Sequence, residues 1–310
     1  MEEYDVIIVG GGVSGMGASI YSARFNLTTL ILGGRIGGLI QDTHIVENYP
    51  GFKSISGSGL VDEFKKQVKS YKNIEIKDEF VKDIKKKSKS FSIETDKGDY
   101  ESKTVIYATG TKRKKLEVPG GKEFENKGLS YCAQCDAPLF KDKIVGVIGG
   151  SDSAAKEALL LTEHAEKVYI IYRKNKIHPE PINLDRINRA VKKGKIEIIN
   201  NTNVIEVKGE MMMSHVILDK EYNGSKEFKL DGLFVEIGHI VESDFAKKLG
   251  VELDDHGQIK IDKESRTNVD GFYAAGDVTD RAFKQAITGV AEGCVAANSA
   301  YEYIAESKVK

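Results

Sequence analysis

The sequence is poor in the residues that mark several classes of protein. Its 310 residues include no tryptophan, five prolines and three cysteines, and the formal net charge at pH 7 is −1. Three cysteines cannot form a disulfide scaffold for a chain of this length, so we expect a reducing, cytoplasmic environment. A nearly neutral chain has no general attraction for nucleic acid. No apolar run approaches the roughly 20 residues of a membrane span, and the acidic start does not resemble a signal peptide.

A glycine-rich turn follows the first apolar segment. Asp5–Val9 has the pattern of a buried strand, Met16–Asn26 that of a helix, and Thr28–Leu32 that of the next strand. Between them, Gly10 to Gly15 fits G-x-G-x-x-G, in which the first glycine permits the turn, the second approaches a pyrophosphate and the third packs helix on strand. Free N–H groups at the helix start favour phosphate. This segment predicts a dinucleotide site.

A second strand–turn–helix unit lies in the middle of the chain. Ile144–Ile148 predicts a strand, residues 149–154 form a second glycine-rich turn, and a helix follows to about Glu163. Val168–Tyr172 supplies the next strand. Two lysine-rich segments, Ile74–Glu94 and Ile196–Leu218, have the pattern of β-meanders. We therefore predict the α/β class, with two Rossmann-like dinucleotide-binding domains that each hold a central parallel sheet and a small β-meander.

Cys132 and Cys135 form a Cys-x-x-Cys pair just before the second glycine turn. Such a pair is compatible with redox or metal chemistry. Half of a zinc site would need two more ligands, for which only Cys294 and six scattered histidines are available. Because the pair lies between two nucleotide-binding units, we predict a redox dithiol and no metal.

Several short motifs, in this order and spacing, resemble those of the low-molecular-weight thioredoxin reductases. They are Gly10 to Gly15, Val46 to Gly51, Ala108-Thr109-Gly110, Cys132 to Asp136, Gly149 to Ala154, and Gly276-Asp277-Val278 followed by Gln285-Ala286. The position of the dithiol discriminates best. In the larger glutathione-reductase type, the cysteines follow the first glycine turn and are spaced further apart.

The resemblance implies a flavoenzyme with a discontinuous FAD domain, residues 1–115 and 242–310, and an inserted pyridine-nucleotide domain, residues 116–241. It further implies a homodimer with non-covalent FAD. Electrons would pass from NADPH to FAD, to the Cys132–Cys135 disulfide, and then to a thioredoxin- or glutaredoxin-like protein. Cys135 would face the flavin, Cys132 would exchange with the partner, and Asp136 would donate and accept the proton.

The FAD contacts that we expect by motif position come from both ends of the chain. They are Gly10, Gly12, Val13, Ser14, Gly15, Gly34, Arg35, Gly38, Asn48, Thr109, Gly110, Gly276, Asp277, Lys284, Gln285 and Ala286. The acidic residue that usually binds the ribose is missing after Leu32, and Arg35 could contact the adenosine or a phosphate instead.

The expected NADP contacts are Gly149, Gly150, Ser151, Asp152, Ser153, Arg173 and Lys174. Ser151 stands where the family usually has glycine, and His178 replaces a later arginine, which is the better phosphate clamp. NADH, ferredoxin or another donor therefore stays open beside NADPH. A flavin-dependent NAD(P)H oxidase or peroxide reductase is an alternative activity, although an oxidase does not need a Cys-x-x-Cys pair. A non-enzymatic redox sensor is a third hypothesis.

Overall fold

The structure is a computed structural model that describes residues 2–307. The chain divides into two compact units. The first runs to Lys112 and resumes at Val241, and the second spans Arg113–Ile240. Among the described residues, no helix combines the length and the apolar character needed to cross a membrane.

The helices and strands alternate through most of the chain. The helices are α1 (Val13–Arg24), α2 (Gly57–Lys69), α3 (Ala133–Asp136), α4 (Asp152–Leu161), α5 (Pro181–Lys192), α6 (Asp244–Lys248) and α7 (Ala286–Ser307). The strands are β1 (Glu2–Val9), β2 (Thr29–Leu32), β3 (Ile74–Lys77), β4 (Val81–Lys86), β5 (Phe91–Thr95), β6 (Asp99–Tyr107), β7 (Thr111–Arg113), β8 (Leu129–Ser130), β9 (Ile144–Ile148), β10 (Lys167–Tyr172), β11 (Ile196–Asn200), β12 (Val204–Gly209), β13 (Met213–Tyr222), β14 (Ser225–Lys229), β15 (Gly232–Val235), β16 (His239–Val241) and β17 (Phe272–Ala274).

The sheet of the first unit has the order β3-β2-β1-β6-β5-β4, with β17 also beside β6. β1 pairs in parallel with β2 and β6, and its residues Val6–Ile8 are completely buried, which explains their β-branched apolar run. β6 serves two structures. Its first residues pair antiparallel with β5, and Val105–Tyr107 pair in parallel with β17. One long strand thus joins the meander to the parallel sheet.

Helices α1 and α7 pack closely in the first unit because small residues line their contact. A Cβ atom on Gly293 would lie 2.2 Å from the Ser14 carbonyl oxygen, and one on Gly17 would lie 3.0 Å from a methyl group of Val290. This close approach brings the start of α7 to the turn that precedes α1.

The second unit repeats the plan with a five-stranded sheet of order β11-β10-β9-β15-β8. The four neighbouring strand pairs of this order are all parallel. α4 follows β9 and α5 follows β10, so the glycine turn after β9 lies at the carboxyl edge of the sheet. β12, β13 and β14 form a separate antiparallel meander.

The predicted bounds of both meanders are wrong in the same way. Ile74–Lys77 is β3, which pairs in parallel with β2, and Ile196–Asn200 is β11, which pairs in parallel with β10. The meanders are β4-β5-β6 and β12-β13-β14. A short apolar strand before a polar turn looks the same in sequence whether its neighbour is parallel or antiparallel, so the pattern alone assigned the first strand of each segment to the wrong structure.

Candidate active site

The first glycine turn has one open face. A Cβ on Gly10, which has φ +119°, would lie 2.2 Å from the Ala108 carbonyl oxygen, and a Cβ on Gly15 would lie 2.1 Å from the Gly10 oxygen. A Cβ on Gly12 would meet nothing closer than Gly38 Cα at 3.9 Å. Gly10 and Gly15 are therefore required by packing within the protein. Gly12 leaves a space in which a pyrophosphate could approach the backbone.

The start of α1 carries backbone donors without a protein cap. Gly12 is the N-cap, makes no side-chain cap hydrogen bond, and is followed by a first turn without acidic residues. Val13 and Ser14 are half-buried there. The Ser14 hydroxyl occupies the space where a Cβ on Gly276 would lie, at 2.4 Å. Uncapped N–H groups beside an open glycine face form an anion-binding arrangement.

Arg35 lies shortly after β2, where the sequence lacks the acidic residue that usually binds the ribose. Its guanidinium forms an ion pair with Asp42, a partner that the sequence did not reveal. The ring of Phe80 covers Gly34, because a Cβ on this glycine would lie 2.1 Å from the ring. Phe80 is 63% exposed, so an aromatic face stands free beside the turn. Gly38 has φ +68° and lies next to the open face of the first glycine turn.

Thr109 and Gly110 follow β6 on the other side of the turn. The Thr109 hydroxyl donates to the Glu242 carbonyl oxygen over 2.8 Å, and the Glu242 N–H donates to the Gly110 oxygen over 3.2 Å. A Cβ on Gly10 would lie 2.8 Å from the Thr109 nitrogen. These bonds fix the loop against the first glycine turn.

The Gly276–Asp277 turn is held by Glu292, a residue that the sequence analysis missed. The Gly276 N–H donates to Glu292 Oε2 over 2.9 Å, and the Thr279 hydroxyl donates to the same oxygen over 3.2 Å. Burial raises the pKa of Glu292. Asp277 itself is exposed and follows Gly276, which packs against Ser14 of the first glycine turn. Glu292 lies in the second turn of α7. In the sequence it stands out only as an acidic residue in a largely apolar segment.

The start of α7 completes this edge. Gln285 lies immediately before Ala286, the first residue of α7, and accepts a hydrogen bond from Asn48 Nδ2 over 3.1 Å. Lys284 donates to Gln258 Oε1 over 3.3 Å, and burial lowers the pKa of its ammonium group. Within the first unit, Gly38, Thr109 and Gly276 thus lie against the first glycine turn, and Asn48 contacts Gln285 at the start of α7.

The dithiol lies in the second unit. Cys132 and Cys135 form a disulfide with a Cα–Cα distance of 5.4 Å, and Cys132 is the N-cap of α3. Cys135 is exposed and Cys132 is half-buried. The Ser130 hydroxyl donates to Asp136 Oδ2 over 2.5 Å, and the Cys132 N–H donates to the Ser130 oxygen over 3.1 Å. Ser130, which the sequence analysis did not single out, therefore connects Asp136 to the backbone of Cys132.

The second glycine turn is more crowded than the first. Gly149 has φ +147°, and a Cβ there would lie 2.3 Å from the Glu236 carbonyl oxygen. A Cβ on Gly150 would lie 2.6 Å from the Tyr172 ring, which covers that glycine. Ser151 is the N-cap of α4 and makes no side-chain cap hydrogen bond. The first turn of α4 is therefore available to a phosphate, but the Tyr172 ring over Gly150 narrows one side of the path to it.

Asp152 uses its carboxylate within the protein. It accepts hydrogen bonds from the Glu180 N–H over 3.0 Å and from Asn183 Nδ2 over 2.8 Å, and Lys156 Nζ lies 2.8 Å away. Burial opposes ionisation, but the Lys156 and Asn183 contacts outweigh it and lower the pKa of Asp152. Only its backbone is free to face a phosphate. Ser153 is exposed beside it.

Arg173 and Lys174 follow β10, and both are exposed. Two positive charges are thus available at the carboxyl edge of the sheet. The Tyr172 hydroxyl and His178 Nδ1 lie 3.1 Å apart, and the His178 N–H donates to the Gly150 oxygen over 2.7 Å. Tyr172 and His178 therefore shape this edge, a contact that the sequence does not show, since it presents Tyr172 only as the end of a strand and His178 only in place of an arginine.

A buried acidic residue lies behind the dithiol. Glu157 on α4 accepts a hydrogen bond from the Ala133 N–H over 3.3 Å. Burial, and then the negative charge of Glu236, raise the pKa of Glu157 well above its ordinary value. Arg113 Nε lies 3.7 Å from Glu236 Oε1. A glutamate within a helix gave no signal in the sequence, because the residues that surround it come from distant segments.

Known proteins resemble this chain over nearly its whole length. Residues 4–293 match the family described as pyridine nucleotide-disulphide oxidoreductase. A thioredoxin reductase from Treponema pallidum is 38% identical over 97% of each chain. The crystal structure of Lactococcus lactis thioredoxin reductase has a TM-score of 0.92 at 35% identity and covers 98% of this chain and 99% of its own. That of the T. acidophilum thioredoxin reductase has a TM-score of 0.90 at 38% identity, with complete coverage of both chains.

The matches agree with the disulfide, the two glycine turns and the parallel sheets described above. At 38% identity, the alignments to these relatives cover both units of the chain. This chain belongs to the pyridine nucleotide-disulphide oxidoreductase family and, within it, to the low-molecular-weight thioredoxin reductases.

Proposed function

We propose that this chain reduces the disulfide of a thioredoxin- or glutaredoxin-like protein through its own Cys132–Cys135 pair, with FAD as cofactor and NADPH as the leading electron donor. The observation that carries the proposal is the disulfide in α3 together with the Ser130–Asp136 hydrogen bond of 2.5 Å. This arrangement provides an exchangeable sulfur pair and a proton carrier in one segment. The unit that holds it also has its own glycine turn after β9.

The first unit fits FAD. The open face of Gly12 and the uncapped start of α1 would hold the pyrophosphate, and Asp277 would accept from hydroxyl groups of the ribityl chain. The Asn48–Gln285 pair would border the cofactor at the start of α7. When bound, FAD would supply the two-electron carrier between the nucleotide and the disulfide.

The dithiol carries the second half of the reaction. Two electrons and two protons convert the Cys132–Cys135 disulfide to two thiols. The Cys132 thiolate attacks one sulfur of the partner's disulfide, which forms a mixed disulfide and releases one partner thiolate. Cys135 then attacks the Cys132 sulfur, reforms the internal disulfide and releases the second partner thiolate. Asp136 is positioned by Ser130 to take up and return protons during these steps.

NADPH is supported by the exposed pair Arg173 and Lys174, which place positive charge where a 2′-phosphate would lie. Tyr172 over Gly150 and the serine at position 151 weigh against tight nucleotide binding. Anaerobic stopped-flow reduction of the bound flavin by NADPH, NADH and reduced ferredoxin tests the donor. NADPH should reduce the flavin at least about ten-fold faster than NADH, which corresponds to about 1.4 kcal/mol of discrimination by the phosphate. Faster reduction by ferredoxin would reject NADPH as donor and leave the disulfide chemistry standing.

The absorption spectrum and the cofactor released by denaturation test the flavin itself. We expect one FAD per chain, and a colourless protein that does not take up FAD would reject the proposal. An oxidase or peroxide reductase is distinguished by comparing oxygen consumption with disulfide turnover. We further propose that the protein is cytoplasmic and forms a homodimer. Sedimentation at several protein concentrations would test the dimer.

A further inference from the structure

A cluster of three ionisable side chains lies behind the dithiol turn, within the second unit. Glu157 comes from α4, Glu236 follows β15, and Arg113 ends β7. Glu157 Oε1 accepts a hydrogen bond of 3.3 Å from the N–H of Ala133, the residue that follows Cys132. Glu157 Oε2 is buried and has no hydrogen-bond partner among residues 2–307. The cluster contacts the redox turn on both sides of Cys132, because the Arg113 guanidinium also donates to the Tyr131 carbonyl oxygen.

The charges of the cluster are unequal. Arg113 Nε lies 3.7 Å from Glu236 Oε1, and the side chain of Glu236 is only 5% exposed. An ionised Glu236 is thus stabilised by the guanidinium. Burial and the charge of Glu236 raise the pKa of Glu157, which is consequently protonated at neutral pH. Beside the Arg113 guanidinium, Glu236 then carries the negative charge and Glu157 carries the proton.

The other charged groups near the turn have different partners. Asp136 on α3 accepts the Ser130 hydroxyl, and Lys156, the neighbour of Glu157 on α4, forms an ion pair with Asp152. Neither contact neutralises a charge on Glu157. If Glu157 were ionised, its buried carboxylate would be held against the amide of Ala133, the residue that follows Cys132.

We propose that Glu157 is a positioning residue for the dithiol, which keeps a neutral carboxyl against the Ala133 amide while Glu236 retains the negative charge beside Arg113. The inference rests on the proposed disulfide exchange, in which Cys132 must react as a thiolate. A nearby carboxylate disfavours a thiolate, so the location of the single charge within the pair sets the reactivity of Cys132. On Glu236 the charge is neutralised by Arg113. On Glu157 it would oppose ionisation of the thiol.

Two single substitutions separate charge from shape. Glu157→Gln imitates the protonated carboxyl and leaves the charge on Glu236. Glu236→Gln removes the like charge and allows Glu157 to ionise in its place. The flavin-loaded protein is reduced with dithiothreitol, freed of reductant and alkylated with iodoacetamide between pH 6 and pH 9, and the Cys132 peptide is quantified by mass spectrometry.

We expect Glu157→Gln to alkylate within about two-fold of wild type at pH 7. Glu236→Gln should alkylate about ten-fold more slowly, the effect of raising the thiol pKa by one unit. The double variant should return to the wild-type rate, because no carboxylate is left to move. Glu163→Gln, an exposed position just after α4, is the matched control and should change nothing. Equal effects of Glu157→Gln and Glu236→Gln, or no effect of Glu236→Gln, would overturn the proposal.

A second measurement covers the case in which Glu236→Gln does not fold. Infrared spectroscopy at neutral pH should show a protonated-carboxyl band in the wild type that is missing in Glu157→Gln. A wild type without this band would overturn the proposal, whatever the stability of the variants. Neither measurement uses NADPH or a thioredoxin, so failure of the proposed donor or partner is distinguishable from failure of this inference.

Discussion

Asn48 and Gln285 are 237 residues apart in the sequence, yet Asn48 Nδ2 donates to Gln285 Oε1 over 3.1 Å. The bond joins a loop after the first βαβ unit to the start of α7. It belongs to the edge that we propose for the flavin, at which both ends of the chain meet within the first unit. The cofactor and this bond should therefore depend on each other.

Replacement of Asn48 by alanine should weaken FAD binding by about ten-fold, the loss expected for one hydrogen bond of about 1.4 kcal/mol. Gln285→Ala should have a similar effect, and the double variant should be little worse than either, because the two side chains act as one pair. Asn298→Ala, at an exposed position of α7, is the control. Titration of the cofactor-free proteins with FAD measures all four. Fully additive losses would contradict a shared role.

Gly12→Ala and Gly15→Ala should fail for different reasons. The Cβ at position 12 has open space, and the backbone φ of −74° suits alanine, so the variant should fold with the stability of the wild type but without bound FAD. The Cβ at position 15 would lie 2.1 Å from a carbonyl oxygen, so that variant should be destabilised by several kcal/mol. Thermal unfolding and flavin absorbance distinguish the two. A stable Gly12→Ala protein that retains stoichiometric FAD would remove the pyrophosphate from this face.

The sequence predicted the fold class, both glycine turns and the redox pair because each depends on local order. A buried parallel strand, a tight turn and a Cys-x-x-Cys spacing are visible within about ten residues. What it missed depends on distant segments. Glu292 supports Gly276, and Tyr172 covers Gly150, only because the chain folds back on itself. The incorrect meander bounds have the same origin, since β3 and β11 take their partners from the parallel sheets.

Arg173 and Lys174 supply the test of nucleotide preference that is independent of the dithiol. Arg173→Ala with Lys174→Ala should raise the apparent Kd for NADPH at least about ten-fold and leave that for NADH unchanged, because only the 2′-phosphate loses a partner. Lys176→Ala, at an exposed position two residues further on, serves as the control. Equal losses for both nucleotides would show that the two charges do not recognise the phosphate.

Glu292 should make stability depend on pH in a defined direction. Because burial raises its folded-state pKa, the folded protein binds the proton more tightly than the unfolded chain does. The wild type should therefore lose stability as the pH rises from the unfolded pKa of 4.5 through the raised folded value. Glu292→Gln, which keeps an acceptor for the Gly276 amide, should lack this loss. Thermal unfolding midpoints of both proteins between pH 4 and pH 8 check it, and parallel pH profiles would refute it.

The central claim is that electrons leave the protein through Cys132 and Cys135. The most direct measurement is anaerobic, single-turnover reduction of a thioredoxin by protein that has first been reduced with dithionite, which avoids any choice of donor. Cys132→Ser and Cys135→Ser should each bind FAD normally and reduce no thioredoxin, while Cys294→Ser should match the wild type. Thioredoxin reduction by Cys135→Ser at a rate near that of the wild type would contradict the account.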